Sequence, residues 1–455
     1  MKKIKIFLPI ILLIITSVFA FGGAAKLDNG MRVVTEKIDS DRAYITLLFD
    51  YSSYDEYIPY AWLPEEWRAI EWLPSYGMPI HGVRQAILNS FLTGLNVDPR
   101  QAFMNIGGSI NFSITPDYIS INVNVPVQTF DAALQSLQSL AARVPNEAAA
   151  NASLASVRQS FGNNTFSHIA LAEIFGNSPY GLFYSNSTSY LVLLRGPMVA
   201  VAYEAVIKPP RAILSVASGI DDALVQKSVE TAFGKWKDKP DNNWDRLSTS
   251  VHNVEFTSKT NLKELGNTLN SHYILSIPLP GHDSDEYPFG FIIAGLFDGI
   301  GGEVFKNLRV EEQITYSYSV NLFTNANQNI MQIIIDITSS DFYNTSEIMN
   351  KAVYDIIENG VSAEKLLRAK NYAVTKMLAS RQIPDILSTE NARAILFFND
   401  PKYYVNLIED IQNTSSEEVN RFVKAYLANI YETVIIPQVI PPAGPPAGEE
   451  TENAD

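Results

Sequence analysis

Between Gly107 and Pro126 the apolar side chains fall on every second position. Ile110, Phe112 and Ile114 alternate with polar neighbours, and after Thr115-Pro116-Asp117 the alternation resumes at Ile119, Ile121, Val123 and Val125. A period of two on both sides of a turn predicts an antiparallel hairpin with one face in a core. Asp28-Asn29-Gly30 is a tight-turn signal, with short strands expected over Met31–Glu36 and Tyr44–Asp50. The period changes to that of a helix over His81–Leu95, where Val83, Ile87, Leu88, Phe91 and Leu92 share a face, and again over Phe130–Val144. Further helices are expected up to Ala205, then a strand in "RAILSVAS" and a helix over Asp221–Trp236.

The second half repeats the order. Strands are expected over His272–Pro278, Asn329–Ile337 and Glu432–Ile436. Helices are expected over Tyr287–Phe297, Tyr343–Asn359, Ala363–Ser380 and Glu417–Ala428. A Gly-Gly pair follows the first helix of each half, at Gly107-Gly108 and Gly301-Gly302. The chain therefore reads as two related α+β domains, over 26–237 and 263–437, joined by a linker at 238–262. A tryptophan-rich segment, 57–78 with Trp62, Trp67 and Trp72, interrupts the first half. It suits a packed insertion as well as a binding patch.

The ends add a compartment. Lys2, Lys3 and Lys5 precede an apolar run from Ile6 to Phe19, and Val18-Phe19-Ala20 fits a cleavage site, so residues 1–20 read as a signal peptide for secretion or the periplasm. A retained anchor is the alternative. The last stretch, 438–455, is Pro-rich and acidic and cannot build a core. With no cysteine the chain carries no disulfide, and its net charge of −15 argues against nucleic acid or an anionic membrane as partner. No GK[ST] follows the Gly299–Gly302 cluster, which excludes a phosphate loop, and no GxSxG supports a serine hydrolase.

The order and spacing of "LDNGMRVV", "GGSINFSITPDYISINVNVP", "FGNSPYG" and "GGEVFKNLRVEEQITYSYSV" resemble the pitrilysin/insulinase family of zinc metallopeptidases. The likeness is to the short two-domain bacterial members related to mitochondrial processing peptidase, and it extends over nearly all of 26–437. It implies two metallopeptidase-like domains facing each other as a clam-like half chamber. Active members carry His-x-x-Glu-His on a helix, with both histidines on one face and the glutamate activating the zinc-bound water. The matching stretch here is "GVRQAILNSFLTG", which puts Gln85, Leu88 and Asn89 at those positions. The region of the third ligand, "NASLASVRQSFGNN", has no carboxylate. None of the five histidines is spaced four residues from another. No zinc is expected in this chain.

In the family a second-domain arginine and tyrosine reach across to the facing half and bind substrate, and Arg309 and Tyr316 match them. A guanidinium offers forked donors and a phenol can donate to a developing oxyanion. From the residues alone, a solvated Arg309 and a core Tyr316 remain open. Asn111 matches the asparagine of the family's substrate-binding edge strand, whereas Phe112 replaces a small residue. The resemblance implies a non-catalytic subunit whose partner is a homologous chain carrying the zinc, with an extended peptide as substrate. The alternatives are a stand-alone peptide-binding scaffold and an active peptidase with unrecognised ligands.

Overall fold

The computed structural model describes residues 21–59, 65, 77–95, 97–160, 165–185, 191–237, 259–265, 270–315, 317–338 and 341–437. The expected signal peptide, most of the tryptophan-rich segment, the linker up to 258, the tail and Tyr316 lie outside the described residues.

The first half supplies β1 (Phe21–Lys26), β2 (Arg32–Lys37), β3 (Arg42–Asp50), β4 (Tyr57–Pro59), β5 (Gly77–Pro79), β6 (Ser109–Ile114), β7 (Tyr118–Pro126) and β8 (Ala212–Ser218). Its helices are α1 (Val83–Ser90), α2 (Pro99–Asn105), α3 (Phe130–Ala142), α4 (Glu147–Ser160), α5 (Phe166–Phe175), α6 (Pro179–Ser185), α7 (Gly196–Val206) and α8 (Asp222–Phe233). The second half has β9 (Lys259–Leu265), β10 (Ser271–Pro280), β11 (Tyr318–Phe323), β12 (Gln328–Ile337) and β13 (Tyr431–Pro437). Its helices are α9 (Tyr287–Phe297), α10 (Phe342–Asn359), α11 (Ala363–Arg381), α12 (Pro384–Phe398), α13 (Tyr403–Asn413) and α14 (Ser416–Tyr426).

Six strands form one sheet in the order β1-β2-β8-β3-β7-β6, and five form another in the order β11-β12-β10-β13-β9. Read from opposite ends, the five-strand order matches β2 to β6 of the six-strand order, with β1 an addition at its outer edge. β2 lies parallel to β8 as β9 lies parallel to β13, and every other matched pair is antiparallel. The repeat seen in the sequence is thus a repeat of topology. The second sheet begins at Lys259, inside the stretch read as linker, where β9 pairs parallel with β13. β4 and β5 pair with each other as a separate two-stranded sheet.

Local chemistry sets several of these elements. Gly30 takes φ 92°, a conformation that favours glycine, and Asn29 beside it ties the β1–β2 turn to the carbonyls of Phe233 and Trp236. The hairpin β6–β7 turns at Thr115, whose hydroxyl accepts from the amides of Asp117 and Tyr118. In β7 the expected alternation puts Ile119, Ile121, Val123 and Val125 in the core of the first half.

Two helices of the second half absent from the sequence-based expectation, α12 and α13, complete the fold, as does the short α2 in the first half. α12 comes from the second half but lies on the first sheet, where Ala392 and Ile395 pack against Val34, Leu48, Tyr118 and Ile213. In return α5 of the first half lies on the second sheet, where Ala170 packs against Ile274 and Ile435. β10 is therefore buried on both faces. The exchange hid α12 from periodicity, since the surface it buries also carries Ser388 and Asn391. Among the described residues, no helix is long and apolar enough to cross a membrane.

Candidate functional site

Helix α1 starts at Gly82, whose φ of 96° reverses the chain between Ile80 and Val83. The helix ends at Ser90 rather than Leu95. Val83, Arg84, Ala86, Ile87 and Ser90 turn inward and are buried. The half-buried face of the same helix carries Gln85, Leu88 and Asn89. The geometry that a two-histidine motif needs is present, with Gln85 and Asn89 one turn apart, but the donor set does not suit zinc. Leu88 offers hydrocarbon where a base would stand. The amides of Gln85 and Asn89 are neutral, and zinc sites are built from thiolate, imidazole or carboxylate. The Oε1 of Gln85 is buried with no hydrogen-bond partner.

The neighbouring helix offers hydroxyls instead of a carboxylate. Ser153 of α4 is fully buried and shares hydrogen bonds with Ser90 at 3.2 Å and Thr93 at 2.7 Å. These close the α1–α4 seam. Among the described residues no group of three or more His, Asp or Glu could hold a metal ion.

Beside the motif face lies a buried ionic cluster that the sequence did not reveal. Arg84 is wholly buried and donates through Nε to Glu56 Oε1 at 2.8 Å and through Nη1 to the Thr115 carbonyl. Its guanidinium also lies 4.5 Å from the centre of the Tyr51 ring. His81 Nδ1 stands 3.9 Å from the other oxygen of Glu56. Burial by itself would raise the Glu56 carboxyl. Arg84 and His81 more than offset this and hold it below the ordinary carboxylate range. Glu56 is distant in sequence from α1, so no local spacing could have found the pair.

β6 is the last strand of its sheet, and its outer edge has no strand partner among the described residues. Asn111 is exposed on it, while Phe112 turns to the core side and stacks on Phe91, with ring centres 5.8 Å apart and planes 17° apart. Phe112 thus packs onto the end of α1.

Arg309 sits in the second half, in a seven-residue π-helical stretch, Phe305–Glu311. Such stretches are rare and occur often at functional sites. Its side chain is exposed, makes no hydrogen bond or ion pair among the described residues, and lies 5.4 Å from the centre of the Phe305 ring. Gln313 follows with φ 54°, and β11 begins only at Tyr318. Tyr316 itself lies outside the described residues. No hydrogen bond joins Arg309 to Gln85 or Asn89. The chain brings the three motif positions together on α1 and leaves Arg309 on a separate element.

Residues 199–372 match the family model of the Peptidase M16 inactive domain. That stretch runs from α7 through the Gly-Gly turn and Arg309 into α11. A search of curated proteins gives no sequence match. Solved structures give the fold. The chain is similar to a putative M16-like peptidase from Alicyclobacillus acidocaldarius, with a TM-score of 0.79 and 13% identity, covering 95% of this chain and 100% of that one. It is also similar to a protease from Helicobacter pylori, with a TM-score of 0.74 and 12% identity over 91% of this chain and 99% of that one. Against the periplasmic protease PqqL from Escherichia coli the TM-score is 0.68 at 10% identity, covering 93% of this chain but 46% of that one. Over residues 199–372 the chain is thus similar to the Peptidase M16 inactive domain, and its repeated α+β topology is the fold of M16-like peptidases.

Proposed function

We propose that this chain is the non-catalytic subunit of a secreted or periplasmic heterodimeric zinc peptidase. It forms one half of a chamber, its two sheets with their helices acting as two domains. Its partner is a homologous chain with an intact His-x-x-Glu-His and the zinc. The observation that carries the reading is the contrast between two places. The α1 face holds Gln85, Leu88 and Asn89 and has no metal-ligating chemistry, while Arg309 stands exposed and unpaired on a π-helical stretch inside the region that matches the inactive domain. The length relation to PqqL supports a second half, since that periplasmic chain is long enough to hold this fold about twice. Asn111 on the open edge of β6 suits pairing with an extended peptide, although Phe112 narrows the approach.

The experiment is reconstitution. The chain alone should bind no stoichiometric zinc and cleave no peptide. With a homologue carrying the intact motif it should co-purify and support cleavage. In that complex Arg309→Ala and Tyr316→Phe should lower turnover, by about 10²–10³ for a lost oxyanion donor, with zinc content and assembly unchanged. Wild-type turnover in both folded variants would remove the pair from the mechanism and leave a scaffold.

A further inference from the structure

In the topological repeat, α9, α11 and β11 stand where α1, α4 and β6 stand in the first half. The first position is closed by Phe112 on Phe91 and by Ser153 between Ser90 and Thr93. The second is open. A cavity of about 440 Å³ lies between α9, β11 and α11, with the start of α13 at its end. That volume is within the range of about 300–1,000 Å³ typical of small-molecule sites. The cavity has apolar walls, among them Phe291, Leu322 and Met377.

Its polar end is Arg393 of α12. Nη2 donates to Thr324 Oγ1 at 2.7 Å, while Nε is buried with no acceptor. Among the described residues no carboxylate is in ion-pair contact with Arg393, although the charge of Glu390 acts on it from nearby. Glu390, the carboxylate beside it, is held by Arg381 at 3.1 Å. Tyr287 and Tyr404 complete this end. At the rim, Lys376 is paired with Asp298 at 3.0 Å, so the outer charges cancel. What remains is a guanidinium, 5.9 Å from the Phe397 and Tyr404 ring centres, whose Nε has no acceptor, at the end of an apolar chamber. A cation so placed favours an anionic acceptor, and a planar guanidinium favours a carboxylate.

We propose that this cavity binds an apolar carboxylate, with its hydrocarbon part against Phe291, Leu322 and Met377 and its carboxylate on Arg393. Two sources share that chemistry, a free aromatic or aliphatic acid and the C-terminal residue of a peptide. The proposal does not depend on the heterodimer. Titration calorimetry of the full chain with 3-phenylpropionate and with N-acetyl-Ala-Ala-Phe tests it, using 3-phenylpropanol and the peptide amide as uncharged counterparts. At least one acid should bind with Kd below about 1 mM. Its uncharged counterpart should bind at least about tenfold more weakly. Tighter binding of the peptide acid assigns the site to peptide C-termini, and tighter binding of phenylpropionate assigns it to free acids. Arg393→Gln should remove the preference for the acid. Met377→Trp, at the partly buried wall, should abolish binding, and it keeps the test open should Arg393→Gln fail to fold. Equal binding of acid and uncharged counterpart, no binding of either acid, or undiminished binding in a folded Met377→Trp would overturn the proposal.

Discussion

His282 shows what burial does to a single titratable group in this fold. Its ring stacks on Phe397 with centres 4.1 Å apart, and Nδ1 is 2.8 Å from the carbonyl oxygen of Asn325, which fixes Nδ1–H as the donor of a neutral ring. Nε2 is buried with no partner. Burial first, and then the neighbouring charge of Arg393, push its pKa down to about 3. The sign of the pH effect follows from that depression. Between about pH 3 and pH 6.5 the unfolded chain binds the proton and the folded chain does not. Acidification below about 6.5 therefore costs stability, about 2 kcal/mol from this group by pH 5. Glu36 and Glu390, both raised mainly by burial, act in the opposite direction. His282→Gln should flatten the fall of melting temperature between pH 7 and pH 5. An unchanged slope would mean that His282 does not set it.

At the scale of elements, α12 is decided by the surface it covers. Its Asn391 donates to Glu36 Oε2 at 2.6 Å, and Ser388 donates to the Ser215 carbonyl at 3.2 Å. Glu36 is 2% exposed and also faces Arg381 at 3.5 Å. A helix that buries such groups cannot show a clean apolar stripe, so its periodicity is weak although its packing is good. Asn391→Asp replaces the donor with a second carboxylate. The loss of a buried hydrogen bond to a charged group should cost about 1.5–3 kcal/mol. Because the Glu36 carboxyl is already raised, part of that loss should return at pH 5 relative to pH 8 as one carboxyl takes up a proton. Denaturant unfolding at the two pH values measures both. An equal loss at both would show that Asn391 does not act through Glu36.

Across the whole molecule, the two sheets are bound to one another by exchange. α12 covers the first sheet and α5 covers the second. The interface is also polar. Asp117 accepts from the Ala326 amide at 2.9 Å and from the Tyr180 hydroxyl at 2.8 Å, and Tyr184 donates to Asn325 at 3.2 Å. Removing either sheet would strip a helix from the other. The two halves should therefore unfold together, in one calorimetric transition whose calorimetric and van't Hoff enthalpies agree. Two resolved transitions would show that the exchanged helices do not couple the halves.

The sequence by itself determined the elements whose burial is one-sided or whose ends carry turn chemistry. The β6–β7 hairpin, α9 over Tyr287–Phe297 and the repeated order of the two halves were legible because periodicity and glycine placement are local. The reading of Gln85, Leu88 and Asn89 as positions without zinc-ligating chemistry rests on residue type alone, since a neutral amide and a hydrocarbon cannot do the work of imidazole and carboxylate wherever they point. Tertiary structure alone decided which helix covers which sheet, because α12 answers to a surface made by strands far from it in the chain. It decided as well that Arg84 would be buried against Glu56, that Phe112 would close one pseudo-equivalent site, and that the other would stay open around Arg393. Each of these depends on side chains brought together by the sheet order, and sequence spacing carries no record of that distance.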